Sequence, residues 1–224
     1  MNNFRSQCGE DEWLAANWQT LGLPDVGFFV DAGAADGETS SNTYWLEKER
    51  GWRGLLVEPD LRHEIDRPKS IIERYAIGQH ATVSLARCVD PFLNSTLRDE
   101  SVAVEHERLA VVDRIDVESV PISWLLEKHA IERVDFISID TEGTEIEAWK
   151  TLDLNRWRPK VAIIEYSTWA LNDNLRELTL VLAKNGYERR HTTTYNGIFV
   201  DVQSDSYSHA KGRITETIGN WLPQ

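Results

Sequence analysis

The chain has 224 residues, 41% hydrophobic and 27% charged, with 37 acids against 24 bases and a formal net charge of −13 at pH 7. That surplus repels phosphate backbones, and no basic cluster longer than Arg189-Arg190 interrupts it, so nucleic acid is excluded as an expected partner. No stretch approaches the ~20 apolar residues of a membrane span, and the start, MNNFRSQCGEDEWL, has acids where a signal peptide needs bases. Cys8 and Cys88 stand far apart without CxxC or His-Cys partners, which argues against a zinc knuckle or a disulfide framework and for a reducing cytoplasm. One domain is expected at this length, with an N-terminal helical segment over 6–26, a core over 27–202 and a tail over 203–224.

Residues 9–21 read as a leading helix, with Trp13, Leu14, Ala16 and Trp18 as its apolar members. The run 27–31 (GFFVD) is a buried strand and 38–50 a helix; 54–58 is the second strand, stopped by Pro59, and 70–77 the third. Residues 81–90 read as an extended excursion, and 91–117 carry no assignable pattern. A helix over 123–129 leads into the cleanest strand, 134–140, and another helix begins near Thr144. A strand over 160–166 and a helix over 175–185, stopped by Gly186, follow. The runs 187–194 and 198–202 pair as a hairpin through Tyr195-Asn196-Gly197, because Asn-Gly is the strongest short hairpin signal. Apolar runs alternating with amphipathic stretches predict an α/β fold whose mostly parallel sheet ends in an antiparallel hairpin.

Three motifs follow strands and precede helices. The first is Asp31-Ala32-Gly33-Ala34-Ala35-Asp36-Gly37. In open α/β sheets ligands bind beyond the carboxyl ends of the strands, so this loop is the expected cradle. Aligned on Gly33 with the dinucleotide fingerprint GxGxxG, it has Asp31 and Asp36 where two glycines belong, which disfavours a pyrophosphate and suits a cation. S-adenosylmethionine carries an ammonium and a sulfonium and no phosphate. A plain Gly/Asp turn with Asp36 as a helix cap is the structural alternative. Glu58, at the end of the second strand, stands close to the offset at which an acid accepts hydrogen bonds from an adenosine ribose. The third motif is SIDTEGTE, 138–145. If its strand neighbours the first, Asp140 emerges beside the first loop, with Glu142 on the turn and Glu145 as a helix cap. Three carboxylates so close could hold Mg²⁺ or Mn²⁺, but no His or fourth carboxylate is placed to help, and a metal is not the favoured reading.

The segments FFVDAGAADGETSSNTYWLE, GWRGLLVEPD, ERYAIG, VDFISIDTEGTEIEAWKTLD, VAIIEYS and NGIFVD follow one another as they do in FkbM-type methyltransferases, and the chain resembles that family from about residue 6 to 202. The resemblance implies the class I, Rossmann-like methyltransferase fold, with a seven-stranded, mostly parallel sheet, an antiparallel C-terminal hairpin and helices on both faces. It implies S-adenosylmethionine as cofactor and O-methylation of a saccharide or other small-molecule acceptor. Carried over by position, Asp31, Gly33, Ala34, Asp36 and Gly37 would hold the methionine half, Glu58 with Pro59 the ribose, and Ala76 and Ile77 the adenine. Gln7 would be a lid contact, or else a plain surface residue, and Asn42 a support for the first loop. The family often carries Asn where Ala35 stands.

Methyl transfer to a hydroxyl needs a base to take its proton, or a metal to acidify it. Asp140 is the first candidate base, Glu142 the second and His191 the third, the last equally readable as a strand residue. Glu165, ending the fifth strand, faces the acceptor side in this topology, and Trp169 could stack on a sugar or simply pack a helix. Asn94-Ser95-Thr96 matches a glycosylation sequon but reads as a loop near the active site. A dinucleotide-dependent oxidoreductase and a non-catalytic cofactor-binding module are the competing readings.

Overall fold

The computed structural model describes residues 3–96, 107–166 and 174–203. In chain order its elements are α1 (Glu10–Leu21), β1 (Phe28–Ala32), α2 (Tyr44–Lys48), β2 (Arg53–Val57), β3 (Ile71–Glu73), β4 (Ala76–Ile77), β5 (Ala81–Cys88), β6 (Val111–Val120), α3 (Ile122–Lys128), β7 (Phe136–Ile139), α4 (Glu145–Lys150), β8 (Val161–Glu165), α5 (Leu175–Lys184), β9 (Tyr187–Thr192) and β10 (Asn196–Asp201). Seven strands make the main sheet in the order β3-β2-β1-β7-β8-β10-β9. Neighbours are parallel except that β10 runs antiparallel to β8 and β9. This is the Rossmann-like sheet with a reversed strand expected from the sequence.

The central strands FFVDA, FISI and VAIIE are nearly continuous apolar runs because helices cover both faces. On one face α3, α4 and α5 bring Leu125, Trp149 and Leu182 against Val30, Ile137 and Ile164. On the other, Leu14 and Trp18 of α1 and Trp45 of α2 meet Phe29, Phe136 and Trp52. Trp18, Trp45, Trp52, Trp149 and Trp157 are all buried, so most of the chain's nine tryptophans fill the core rather than a ligand site. Among the described residues no helix is long and apolar enough to cross a membrane.

Four local expectations need correction. The helix expected over 38–50 is confined to Tyr44–Lys48. Before it, Asp36 and Ser41 accept hydrogen bonds from the N–H groups of Glu38, Thr39, Thr43 and Tyr44, and such short polar side chains hold the backbone in turns. The strand expected over 70–77 divides: Ile71–Glu73 joins the main sheet, while Ala76–Ile77 pairs with β6 in a second, three-stranded sheet ordered β4-β6-β5. That second sheet takes in the excursion at 81–90 and the end of the stretch left unassigned, as β5 and β6 pair antiparallel. The hairpin exists, but Thr193 N–H donates to Asn196 O, so Thr194 and Tyr195 make the turn and Asn196-Gly197 lies in the strand. Gly197 is needed there because a Cβ would stand 2.6 Å from the Phe199 ring.

Candidate active site

The carboxyl ends of β1, β2, β7 and β8 open into a cavity of about 250 Å³. It lies where the strand order reverses between β1 and β7, the expected ligand position in such a sheet. Gln7, Asp31, Gly33, Ala34, Asn42, Glu58, Pro59, Ala76, Ile77, Asp140, Glu142 and Glu165 all line it, so most of the residues singled out from the sequence come together.

The first loop is wedged between its neighbours. Gly33 and Ala34 donate their N–H groups to Val57 O at 2.9 and 3.1 Å. Gly33 has φ 84°, and a Cβ on it would stand 1.6 Å from the Asp140 carbonyl oxygen, so no other residue fits. Asp31 accepts from Thr43 Oγ1 at 2.6 Å, while burial pushes its carboxyl up against the pull of Thr43 and Arg67. Asn42 Nδ2 donates to Ser138 Oγ, and its Oδ1 is buried without a partner.

Asp36 and Gly37 do not line the cavity. The Asp36 carboxylate is occupied by the N–H groups of Glu38 and Thr39 and the Thr39 hydroxyl, and the Gly37 carbonyl accepts from Arg67 Nη1 at 2.7 Å. Arg67 is the support that sequence reasoning missed. Only 2% exposed, it also pairs with Glu47 at 3.1 Å and donates to Thr43 O, so one guanidinium ties the first loop to α2. Its arginine sits in a stretch without periodicity, and nothing local signals the role. Arg67→Met strips buried Glu47 of its guanidinium partner and leaves the Gly37 carbonyl without its donor, and is expected to cost about 3–5 kcal/mol in urea denaturation; a loss under about 1 kcal/mol would contradict this placement.

Ala35 has φ 47°, a left-handed conformation that Asn tolerates better than Ala. Its N–H donates to Glu58 Oε2 at 3.0 Å. Ala35→Asn is therefore expected to raise stability by about 1 kcal/mol, read from thermal denaturation; a lower melting temperature would count against that backbone geometry.

Glu58 is buried, its Oε1 accepting from Asp60 N at 2.8 Å and its Oε2 from Ala35 N, which leaves lone pairs on both oxygens for a ligand. Beside it, Pro59, Tyr75, Ala76 and Ile77 form a largely apolar wall of the cavity. Tyr75 and Tyr195 also line the cavity and were not foreseen: one sits at the break between β3 and β4, the other in the hairpin turn misassigned to Asn-Gly. Asn94, Ser95 and Thr96 line it as well, and Ser95 Oγ donates to Glu142 O at 2.6 Å.

Asp140 follows the last residue of β7 and lines the cavity. Burial first, then the charges of Glu145, Asp31 and Glu58, push its carboxyl up to about 7 against a hydrogen bond with Glu165. Burial and the charges of Asp140, Glu142 and Glu145 raise Glu165 well above the usual carboxylate range. Asp140, Glu145 and Glu165 present oxygens within 4.8 Å of one another. The acidic trio is thus completed by Glu165, not by Glu142 as the sequence suggested, and it is tolerable only with a proton or cation among its members. Glu145 Oε1 accepts from Thr141 N and Gly143 N at 3.1 and 2.7 Å, holding the loop below α4.

His191 is exposed on β9, stacked on Trp13 with ring centroids 5.6 Å apart, and does not line the cavity. Trp169 and the tail beyond Gln203 lie outside the described residues. The N-terminal strap carrying Gln7 is tethered by buried Asp11, which accepts from Arg5 N and Ser6 N.

Compared with known proteins, residues 31–189 match the family model of the methyltransferase FkbM domain. No curated protein matches the chain. Among solved structures, a putative ribosomal RNA methyltransferase from Plasmodium falciparum is similar at 12% identity and TM-score 0.47, with 88% of this chain and 97% of that one covered. Precorrin-6y C5,15-methyltransferase from Geobacter metallireducens GS-15 is similar at 14% identity and TM-score 0.41, with 84% and 87% covered.

Proposed function

Because the chain belongs to the methyltransferase FkbM domain family, we propose that it transfers a methyl group from S-adenosylmethionine to a hydroxyl of a sugar, glycan or glycosylated metabolite. The observation that carries this reading is the charge of the cavity. Asp31, Glu58, Asp140, Glu142 and Glu165 face it, and its one basic lining side chain among the described residues, Arg108, is ion-paired with Asp90. Such a lining favours a cationic ligand and opposes the pyrophosphate of a dinucleotide, the oxidoreductase alternative.

S-adenosylmethionine supplies a methyl group already activated by its sulfonium. The chain's own residues do the rest by binding, alignment and proton transfer. Glu58 would accept hydrogen bonds from the ribose hydroxyls, the wall of Tyr75, Ala76 and Ile77 would hold the adenine, and Asp31 and the Gly33-Ala34 turn would hold the methionine end. Asp140 takes the acceptor's proton on its carboxylate, with Glu165 and Tyr195 on the acceptor side. No resident metal is needed in this reading. The thiols of Cys8 and Cys88 suit a reducing, cytoplasmic setting.

Removing the Glu58 charge weakens a charge-assisted hydrogen bond, so Glu58→Gln is expected to weaken S-adenosylhomocysteine binding about tenfold, read by calorimetry; unchanged affinity would take the ribose away from this residue. The reaction itself is tested by radiolabelled methyl transfer to a panel of deoxysugars and glycans. Label fixed as an O-methyl ether supports the proposal. Binding without transfer to any member would instead favour a non-catalytic module, and label on nitrogen would contradict O-methylation.

A further inference from the structure

We infer that Asp140 and Glu165 hold one proton between them and act as a single two-carboxylate unit, with Glu165 the positioning residue that keeps the Asp140 carboxylate fixed as the base. The inference rests on the methyl-transfer reading for its chemistry, but its geometry stands apart from it.

Strands β7 and β8 are parallel neighbours with Ile139 opposite Ile164, so the residues that follow, Asp140 and Glu165, emerge side by side. Their carboxyl oxygens lie within 4.8 Å of each other at the buried end of the sheet. Two carboxylates so placed repel and have no donor between them, so the pair is held together by a proton on one. Glu165 is the better carrier: it is 6% exposed, and its Oε2 is buried without any hydrogen-bond partner. Asp140 is less enclosed, at the cavity wall. Glu145 is close enough to compete and burial raises its carboxyl too, but its Oε1 already accepts from the N–H groups of Thr141 and Gly143, which work against protonation, whereas no backbone N–H is bonded to the buried Oε2 of Glu165.

The charges around the pair keep the proton in place. Asp31 on β1, Glu58 beyond β2, Glu142 on the loop after β7 and Glu145 on α4 are all acidic. Of the nearby cations, Arg67 is spent on Glu47 and Thr43, and Arg108 is held by Asp90. Burial pushes both carboxyls up, and two acids this close give up their protons in shared steps.

In the resting state the Glu165 O–H donates to the Asp140 carboxylate. As the acceptor oxygen bonds to the methyl carbon, the carbon–sulfur bond breaks and its electron pair stays on sulfur. The hydroxyl proton passes to Asp140, the pair then holds two protons and is neutral, and release of one to water restores it. Glu165 thus spares the site a second buried negative charge while leaving Asp140 able to accept.

The test is a carboxyl-carbon NMR titration of the full chain, labelled at Asp and Glu, free and saturated with S-adenosylhomocysteine. Both resonances are expected to report two shared steps, one near 7 and one higher. Glu165→Gln, which still donates, is expected to leave Asp140 a single step; Glu165→Leu, which cannot donate, is expected to move that step to higher pH. A merely structural Glu165 would move neither. Separate titrations at ordinary carboxylate values would overturn the proposal. So would collapse of both steps toward acid pH on adding magnesium chloride, which would make the cluster a cation site. Failure of S-adenosylhomocysteine to bind would instead strike the methyl-transfer reading, since the titration of the free protein does not depend on it.

Discussion

Gly33→Ala is expected to abolish S-adenosylhomocysteine binding and to lower the unfolding free energy by more than about 3 kcal/mol. Two independent penalties coincide at this position. The backbone sits at φ 84°, where an alanine is strained by about 1–2 kcal/mol, and the new Cβ would stand 1.6 Å from the Asp140 carbonyl oxygen. That contact cannot relax by a side-chain rotation, because the atom struck is backbone whose own N–H is bonded to Ala32 O. β1 and β7 would have to part at their carboxyl ends, and the loop and Asp140 would separate with them. Urea denaturation and calorimetry read the two effects; a variant with wild-type affinity would show that the first loop does not cradle the cofactor.

Asp140→Asn is expected to lower turnover about 10²–10⁴-fold while S-adenosylhomocysteine still binds, and to make the protein more stable at alkaline pH. The sign follows from the direction of the shift. The Asp140 carboxyl is raised in the folded state from 3.8 to about 7, so the folded chain holds the proton more tightly than the unfolded one. Its contribution to stability is therefore greatest at acid pH and declines as pH rises through the interval between those values. Above it the wild type carries a buried charge that the amide lacks, worth on the order of 1–3 kcal/mol once screening at the cavity wall is allowed for. Thermal denaturation of both proteins at acid and alkaline pH, with initial rates on the best acceptor of the panel, reads both halves. Wild-type turnover in the variant would remove Asp140 as the base, and no gain in stability at alkaline pH would contradict its burial as an ionised group.

The parts of the fold that were legible in the sequence are those fixed by local chemistry repeated over several residues. Continuous apolar runs such as FISI and VAIIE mark strands covered on both faces, and their order with the intervening helices implies a parallel sheet. Gly33, Glu58 and Asp140 were legible because each ends a recognisable strand and must therefore reach the same edge of the sheet. The second sheet was not, because β6 reads VVDRIDVESV, half polar and largely exposed, and its pairing with β5 depends on contacts across more than twenty residues. Nor was the partnership of Asp140 with Glu165 rather than Glu142: nearness in sequence favoured the wrong acid, whereas strand pairing chose the right one. Asp36 looked like a ligand of the cofactor by its place in the motif, but the N–H groups of the turn after it were nearer claimants. The surplus of acids was a clue to the site only in small part. Glu10, Asp11, Glu47, Asp60 and Asp201 are equally buried and are occupied as structural acceptors.

Calorimetric titration of the full chain with S-adenosylhomocysteine and, separately, with NAD bears on all of this at once. Saturable one-to-one binding of S-adenosylhomocysteine, weakened by Glu58→Gln, with no heat from NAD, is the expected result. Binding of NAD without binding of S-adenosylhomocysteine would contradict it.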